Sequence, residues 1–131
     1  PFLAAVAVAS ADTLASEFGV LDPRVKMILS GNHVAAGTNG GTSPTGQIAA
    51  ASGSLLIAFF GCILFASFNN GFDADIIRVF CVITLMGWTG CQVDSILGAL
   101  LENRGLMTKG QVNLASIAFG AGATYLLLGL V

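Results

Sequence analysis

The stretch that decides the fold is IAAASGSLLIAFFGCILFASF, residues 48–68, which contains no charged residue. A helix of this length, rising about 1.5 Å per residue, crosses the roughly 30 Å hydrocarbon core of a bilayer. Three further apolar segments of similar length lie before and after it. We therefore predict an all-α, polytopic membrane helix bundle that forms a single membrane domain. Its four transmembrane helices should lie at residues 1–18, 44–68, 75–101 and 111–131.

The composition also indicates an integral, multi-pass membrane protein. Of 131 residues, 55% are hydrophobic and only 9% are charged, and the mean hydropathy is +0.86. Soluble domains carry about a quarter charged residues. The net charge of -2 leaves no basic surface of the kind that nucleic-acid binding requires. Three cysteines in apolar spans and a single histidine argue against a zinc site.

The first apolar segment, PFLAAVAVASADTLASEFGV, begins with Pro1 and lacks the basic region that opens a signal peptide. We interpret it as a membrane span, and we expect the chain to be the C-terminal part of a longer protein with further spans upstream.

The charges between the spans predict the topology. The links are expected at residues 19–44, 69–75 and 102–110. The first and third links carry lysine and arginine, whereas the middle link carries Asp73 and Asp75. By the positive-inside rule, the first and third links are cytoplasmic, or stromal in a plastid.

A glycine-rich loop, AGTNGGTSPTGQ (residues 36–47), runs into the second helix. Ser43 suits the N-cap and Pro44 the first helical position. We expect the unpaired N–H groups at the N-terminus of this helix, and the positive end of its dipole, to face whatever occupies the loop. The loop lacks the Gly-Lys-Ser/Thr ending of a Walker A motif, so a plain turn and a phosphate cradle both remain open. The candidate cradle residues are Gly37, Thr38, Asn39, Gly40, Gly41 and Thr42.

Two acids lie inside predicted spans, both near the basic end. Asp12 and Asp94 each cost on the order of 3 kcal/mol to place there as ions, which makes each a candidate functional residue. Gly87, Gly90, Asp94 and Gly98 recur at helical spacing, which predicts that Asp94 faces another helix.

Two carboxylates brought together repel each other unless a cation lies between them. Magnesium is the economical cation when phosphates are near. The alternatives are that Asp12 only bonds a neighbouring helix and Asp94 only fixes helix register. Arg24, Lys26 and Glu17 can equally be plain interfacial charges.

Four motifs in order, ADTLASEFG, AGTNGGTSPTGQ, VDSILGALLEN and QVNLAS, resemble the transmembrane protein 19 family, also called domain of unknown function 92. Its plant and cyanobacterial members include phytyl-phosphate kinase. The resemblance implies a membrane-embedded kinase that moves a phosphoryl group from a nucleoside triphosphate to an isoprenyl monophosphate such as phytyl phosphate. In a photosynthetic eukaryote it implies the plastid envelope. A more distant similarity to dolichol kinase and phosphatidate cytidylyltransferase favours CTP as donor.

The resemblance also implies site residues, which in this chain are Asp12, Glu17, residues 37–41, Asp94, Ser95 and Asn113. We predict that Asp12 and Asp94 are catalytic and hold Mg²⁺ together with Glu17. Arg24 or Lys26 is expected to neutralise a phosphate that the loop does not hold.

Two other functions remain open at this point. A transporter or channel module would use the acids as a proton or cation relay, and a noncatalytic membrane subunit would use only the small-residue faces. A relay needs acids spread along the membrane depth, whereas an enzyme needs them together.

Overall fold

The computed structural model describes residues 1–68 and 74–129. In that part of the chain, four helices are long and apolar enough to cross a membrane, which confirms the predicted all-α membrane bundle. They are α1 (Phe2–Gly19), α2 (Pro44–Phe68), α3 (Ala74–Leu97) and α4 (Lys109–Gly129).

The helix bounds differ from the predicted ones in two places that matter for the site. The last turn of the third span, Gly98–Glu102, is π-helical and not α-helical. The fourth helix begins at Lys109, two residues earlier than expected. Residues 69–73 of the predicted middle link, which include Asp73, and residues 130–131 of the fourth predicted helix lie outside the described residues. Asp75, predicted in the same link, lies in the first turn of α3.

The first link contains structure that the sequence analysis did not predict. Two short strands, β1 (Lys26–Met27) and β2 (Gly41–Thr42), pair antiparallel with Lys26 opposite Thr42. This ribbon returns the chain to the start of α2 and places the glycine-rich loop beside the helix ends.

Small residues let the helices approach closely. The α1 helix contacts α2, α3 and α4, and its buried residues are Ala4, Ala7, Val8 and Ala11. A Cβ atom added at Gly87 would lie 2.6 Å from the Ser54 Cβ. The predicted stripe of Gly87, Gly90, Asp94 and Gly98 is buried along its whole length, so Asp94 does face other helices.

The helices run so that four helix ends meet at one end of the bundle. The C-terminal part of α1, the start of α2, the π-helical turn after α3 and the start of α4 all line one cavity there. The first and third links therefore share this end, as the charge pattern predicted. The compartment that this end faces stays a prediction.

Candidate functional site

A cavity of about 260 Å³ lies at this end of the bundle, lined by the first link and by all four helix ends. It brings together most of the residues that the sequence singled out. Those on its wall are Asp12, Gly37, Thr38, Asn39, Gly40, Gly41, Thr42, Asp94 and Ser95.

Asp94 is the most enclosed charge of the cavity, with an exposed fraction of 2%. Its Oδ1 accepts a hydrogen bond from the Lys109 Nζ at 2.9 Å, and its Oδ2 accepts one from the Ser116 Oγ at 3.0 Å. Both partners belong to α4. A buried carboxylate is tolerated when it is paired and hydrogen-bonded. These two donors therefore explain why the bundle can bury the carboxylate of Asp94.

Asp12 faces the same ammonium group from α1. Its Oδ2 lies 4.0 Å from the Lys109 Nζ. Lys109 thus links two acids from different helices. Its side chain is half exposed. The sequence analysis expected a cation between the two acids, and in this structure the ammonium of Lys109 occupies that role.

A third acid, Glu102, lines the cavity from the π-helical turn. Its Oε2 is buried and has no hydrogen-bond partner in the described part of the chain. The cavity wall therefore carries three carboxylates, Asp12, Asp94 and Glu102, against the single ammonium of Lys109.

The structure does not bring Glu17 to Asp12 and Asp94, so a metal site that includes Glu17 stays a prediction. Glu17 is exposed and does not line the cavity. Five residues of an α-helix turn through about 500°, which leaves Glu17 about 140° around α1 from Asp12. Among residues 1–68 and 74–129, no group of three or more His, Cys, Asp or Glu side chains is arranged to hold a metal.

The structure does not bring Arg24 or Lys26, which were expected to neutralise a phosphate, to the cavity. Arg24 is engaged by Asp22, whose Oδ1 accepts from the Arg24 Nε at 2.9 Å and whose Oδ2 accepts from Nη2 at 3.0 Å. Lys26 lies in β1 and is exposed. Neither side chain is on the cavity wall. The bond to Arg24 holds the pKa of Asp22 well below its usual range.

The N-terminus of α2 is not an open anion site, contrary to expectation. The N–H of Thr45 donates to the Asp22 Oδ2 at 3.2 Å, and the N–H of Gly46 donates to the Ser43 Oγ at 3.1 Å. Ser43 is the N-cap, as predicted, and Pro44 has no N–H to offer. Because a carboxylate of the chain itself neutralises this helix end, α2 has no free N–H group there for a ligand.

The glycine-rich loop is built from two successive turns. The N–H of Thr38 donates to the Ala35 carbonyl, and the N–H of Gly41 donates to the Thr38 carbonyl. Gly37 (φ 84°) and Gly40 (φ 78°) occupy the third position of these turns, where a type II turn requires positive φ. Among the described residues, the N–H groups of Asn39 and Gly40 have no hydrogen-bond partner. The loop is thus a turn that forms one wall of the cavity.

A second cavity, of about 60 Å³, lies between α1 and α4. Asn113, predicted as a phosphate contact, lines this cavity and not the larger one. Its Oδ1 is buried without a partner in the described residues. Asp12 lines both cavities, so the two share a wall.

Sequence reasoning missed Lys109 and Glu102 as site residues, although helical spacing contained the signal. Lys109, Asn113 and Ser116 recur at intervals of four and three, which places them on one face of α4. Glu102 lies four residues beyond Gly98 and continues the stripe that contains Asp94.

The fold and the cavity together define a polytopic membrane protein with an acid-rich site at one end of its bundle. Residues 1–123 match the model of the DUF92 integral membrane protein family, and the chain belongs to that family.

Two curated relatives are similar over most of the chain. An uncharacterised membrane protein of Methanocaldococcus jannaschii is 33% identical over 120 residues, which cover 91% of this chain and 47% of the relative. Protein PGR of Arabidopsis thaliana is 35% identical over 100 residues, covering 72% of this chain and 34% of the relative. The chain thus spans less than half the length of these two relatives. No solved structure matches it.

Proposed function

We propose that the larger cavity is a phosphoryl-transfer site, at which a nucleoside triphosphate donates its terminal phosphoryl group to an isoprenyl monophosphate. The products are the isoprenyl diphosphate and a nucleoside diphosphate. The observation that carries the proposal is the meeting of Asp12, Asp94, Lys109 and Glu102 beside a glycine-rich loop at one membrane end. Phosphoryl transfer requires mainly positioning and neutralisation of charge, because the attacking oxygen belongs to the acceptor's own phosphate. Such a site needs charged groups around a polar cavity more than it needs a general base.

The charge balance of the cavity supports a divalent cation. Three carboxylates against one ammonium would repel a phosphate unless a cation accompanies it. Magnesium is usually held by one or two carboxylates together with substrate phosphates, so a ready-made cluster of three acids is not required. Asp12 and Glu102 are the residues that would hold it, because the oxygens of Asp94 already accept from Lys109 and Ser116. When bound, Mg²⁺ supplies neutralisation of the phosphate charge.

Lys109 takes the role of neutralising a phosphate, which the sequence analysis gave to Arg24 or Lys26. Its ammonium is the one cationic group on the cavity wall within the described residues, and its half-exposed side chain can turn toward a phosphate. Asp94 then acts as a positioning residue that holds Lys109 at the cavity. The unpaired N–H groups of Asn39 and Gly40 are additional donors for a phosphate oxygen.

The size of the cavity supports binding of phosphate groups. About 260 Å³ is just below the roughly 300–1,000 Å³ of small-molecule sites, which suits the phosphate end of a nucleotide better than a whole nucleotide. The position of the acids favours an enzyme over a proton or cation relay. Asp12 and Asp94 approach the same Nζ atom, whereas a relay would distribute its acids along the membrane depth.

The test is an assay of the full-length protein in detergent or nanodiscs. We expect phosphorylation of phytyl or geranylgeranyl monophosphate with one of CTP, GTP, UTP or ATP, and we expect loss of turnover when EDTA removes magnesium. The proposal fails if no triphosphate is consumed with either acceptor, or if turnover continues unchanged in EDTA.

A further inference from the structure

The bundle presents two kinds of outward helix face. On α2 the outward face carries large apolar side chains, which suit hydrocarbon because lipid chains are as apolar as leucine. These exposed side chains are Leu55, Leu56, Phe59, Phe60, Leu64 and Phe68. One face of α1 instead carries small side chains at helical spacing, Ala5, Ala9, Thr13 and Ser16, and each of them is half-buried or exposed. Small residues of this kind are typical of contacts between membrane helices.

This small-residue face of α1 borders the second cavity, a groove of about 60 Å³ between α1 and α4. The exposed Thr13 lies on its wall, so the groove is open to the outside of the bundle. Asp12 and Asn113 also line it, and the Asn113 Oδ1 is buried without a hydrogen-bond partner among residues 1–68 and 74–129. Buried polar atoms are nearly always paired, and hydrocarbon cannot pair with this oxygen. Lipid alone is therefore a poor cover for the groove.

The length of the relatives indicates what covers this face. More than half of the Methanocaldococcus jannaschii membrane protein, and about two thirds of Protein PGR, lie outside the region that matches this chain. The remainder has room for further spans, at about 20 residues each. We infer that a transmembrane helix from the part of the full-length protein outside residues 1–131 packs into the groove between α1 and α4.

The groove also specifies the chemistry of this helix. Its contact face carries small residues, because two small faces let membrane helices approach closely. At the level of Asp12 it carries a hydrogen-bond donor, because the amide oxygen of Asn113 and the carboxylate of Asp12 both accept. Asp12 also lines the larger cavity, so this donor lies beside the candidate site.

The first test is photo-cross-linking of the full-length protein in nanodiscs, with the variant Thr13→p-benzoylphenylalanine. Ser52 is the matched control position, because it is also an exposed hydroxyl residue, about two turns from the cavity end of α2. We expect position 13 to cross-link to a peptide of the same chain outside residues 1–131, identified by mass spectrometry, and position 52 to cross-link to lipid. Cross-linking of position 13 to lipid alone would overturn the inference, and so would a cross-linked dimer, which would assign the groove to a second copy.

The second test uses Thr13→Leu and Ser52→Leu and needs no bulky probe. Leucine is more apolar than either hydroxyl residue, so it should not destabilise a face that meets lipid. Beneath a packed helix, the larger side chain overpacks the contact. We expect Thr13→Leu to lower the Tm of the full-length protein by about 5 °C and Ser52→Leu to leave it unchanged. Equal changes in Tm would overturn the inference. Neither test uses a substrate, so its failure and the failure of the proposed phosphoryl transfer are distinguishable.

Discussion

Asp22 shows how one side chain can remove an anion site. Its carboxylate accepts hydrogen bonds from the Arg24 side chain and from the backbone and hydroxyl of Thr45. It thereby pairs with the N-terminus of α2, where the sequence analysis expected the contents of the loop to bind. The bond to Arg24 is the largest cause of the lowered pKa of Asp22, followed by the bonds to the Arg24 backbone and to Thr45.

The stabilising effect of Asp22 should depend on pH. Because the folded-state pKa lies below the ordinary value of 3.8, this group contributes stability at all pH values above about 4 and loses it as the pH falls further. We expect Asp22→Asn to lower the Tm at pH 7. We expect the difference in Tm between this variant and wild type to narrow as the pH falls below 4. Thermal unfolding in detergent measures this. Glu17→Gln, an exposed acid on α1, is the control, and a gap that stays constant with pH would contradict the account.

The residues of the site were partly predictable. The cost of burying Asp12 and Asp94 identified both, and the glycine stripe identified the face of Asp94. Lys109 was missed because its partner Asp94 is fifteen residues away along the chain, across a link whose conformation the sequence does not specify. The capture of Arg24 by Asp22 depends on a non-helical turn of the link, which helical spacing cannot predict.

At the scale of elements, the loop's two glycines with positive φ have different surroundings. A Cβ at Gly40 would lie 2.5 Å from the Ala99 Cβ and 2.8 Å from the Ser95 carbonyl oxygen. A Cβ at Gly37 would have nothing within 4 Å. Of these two glycines, only Gly40 therefore packs against the third span, where it closes the cavity wall.

Alanine at these two positions separates backbone strain from packing. Gly37→Ala should cost about 1 kcal/mol of stability, from the left-handed backbone alone. Gly40→Ala should cost about 2–4 kcal/mol, because the clash with α3 adds to that strain. Unfolding of both variants under the same conditions measures the difference, and equal losses would show that the loop does not pack on α3 as described.

The helices were predictable because each is a long apolar run with clear ends. The β1–β2 ribbon was not, because two-residue strands carry no alternation of polar and apolar residues that a pattern can detect. The π-helical turn at Gly98–Glu102 also leaves no periodic signal, yet it carries Glu102 to the cavity.

At the scale of the whole molecule, the account requires the first and third links to face one compartment. We expect Lys26→Cys and Arg104→Cys, both exposed positions, to react with a membrane-impermeant maleimide from the same side of sealed vesicles. The variants are made in protein whose native cysteines, three of them in this chain, are replaced by alanine. Labelling from opposite sides would contradict the four-helix topology, and labelling from outside right-side-out vesicles would contradict the cytoplasmic assignment.

We propose phosphoryl transfer at the larger cavity and not at the membrane end as a whole. Its most direct test compares Asp12→Asn with Glu17→Gln in the full-length protein. Both remove one acid from the same part of α1, but only Asp12 lines the cavity. We predict that Asp12→Asn lowers kcat for phosphorylation of an isoprenyl monophosphate by about 10²–10³, whereas Glu17→Gln stays within about twofold of wild type, as surface changes do. Wild-type turnover in Asp12→Asn, or equal losses in both variants, would contradict the account.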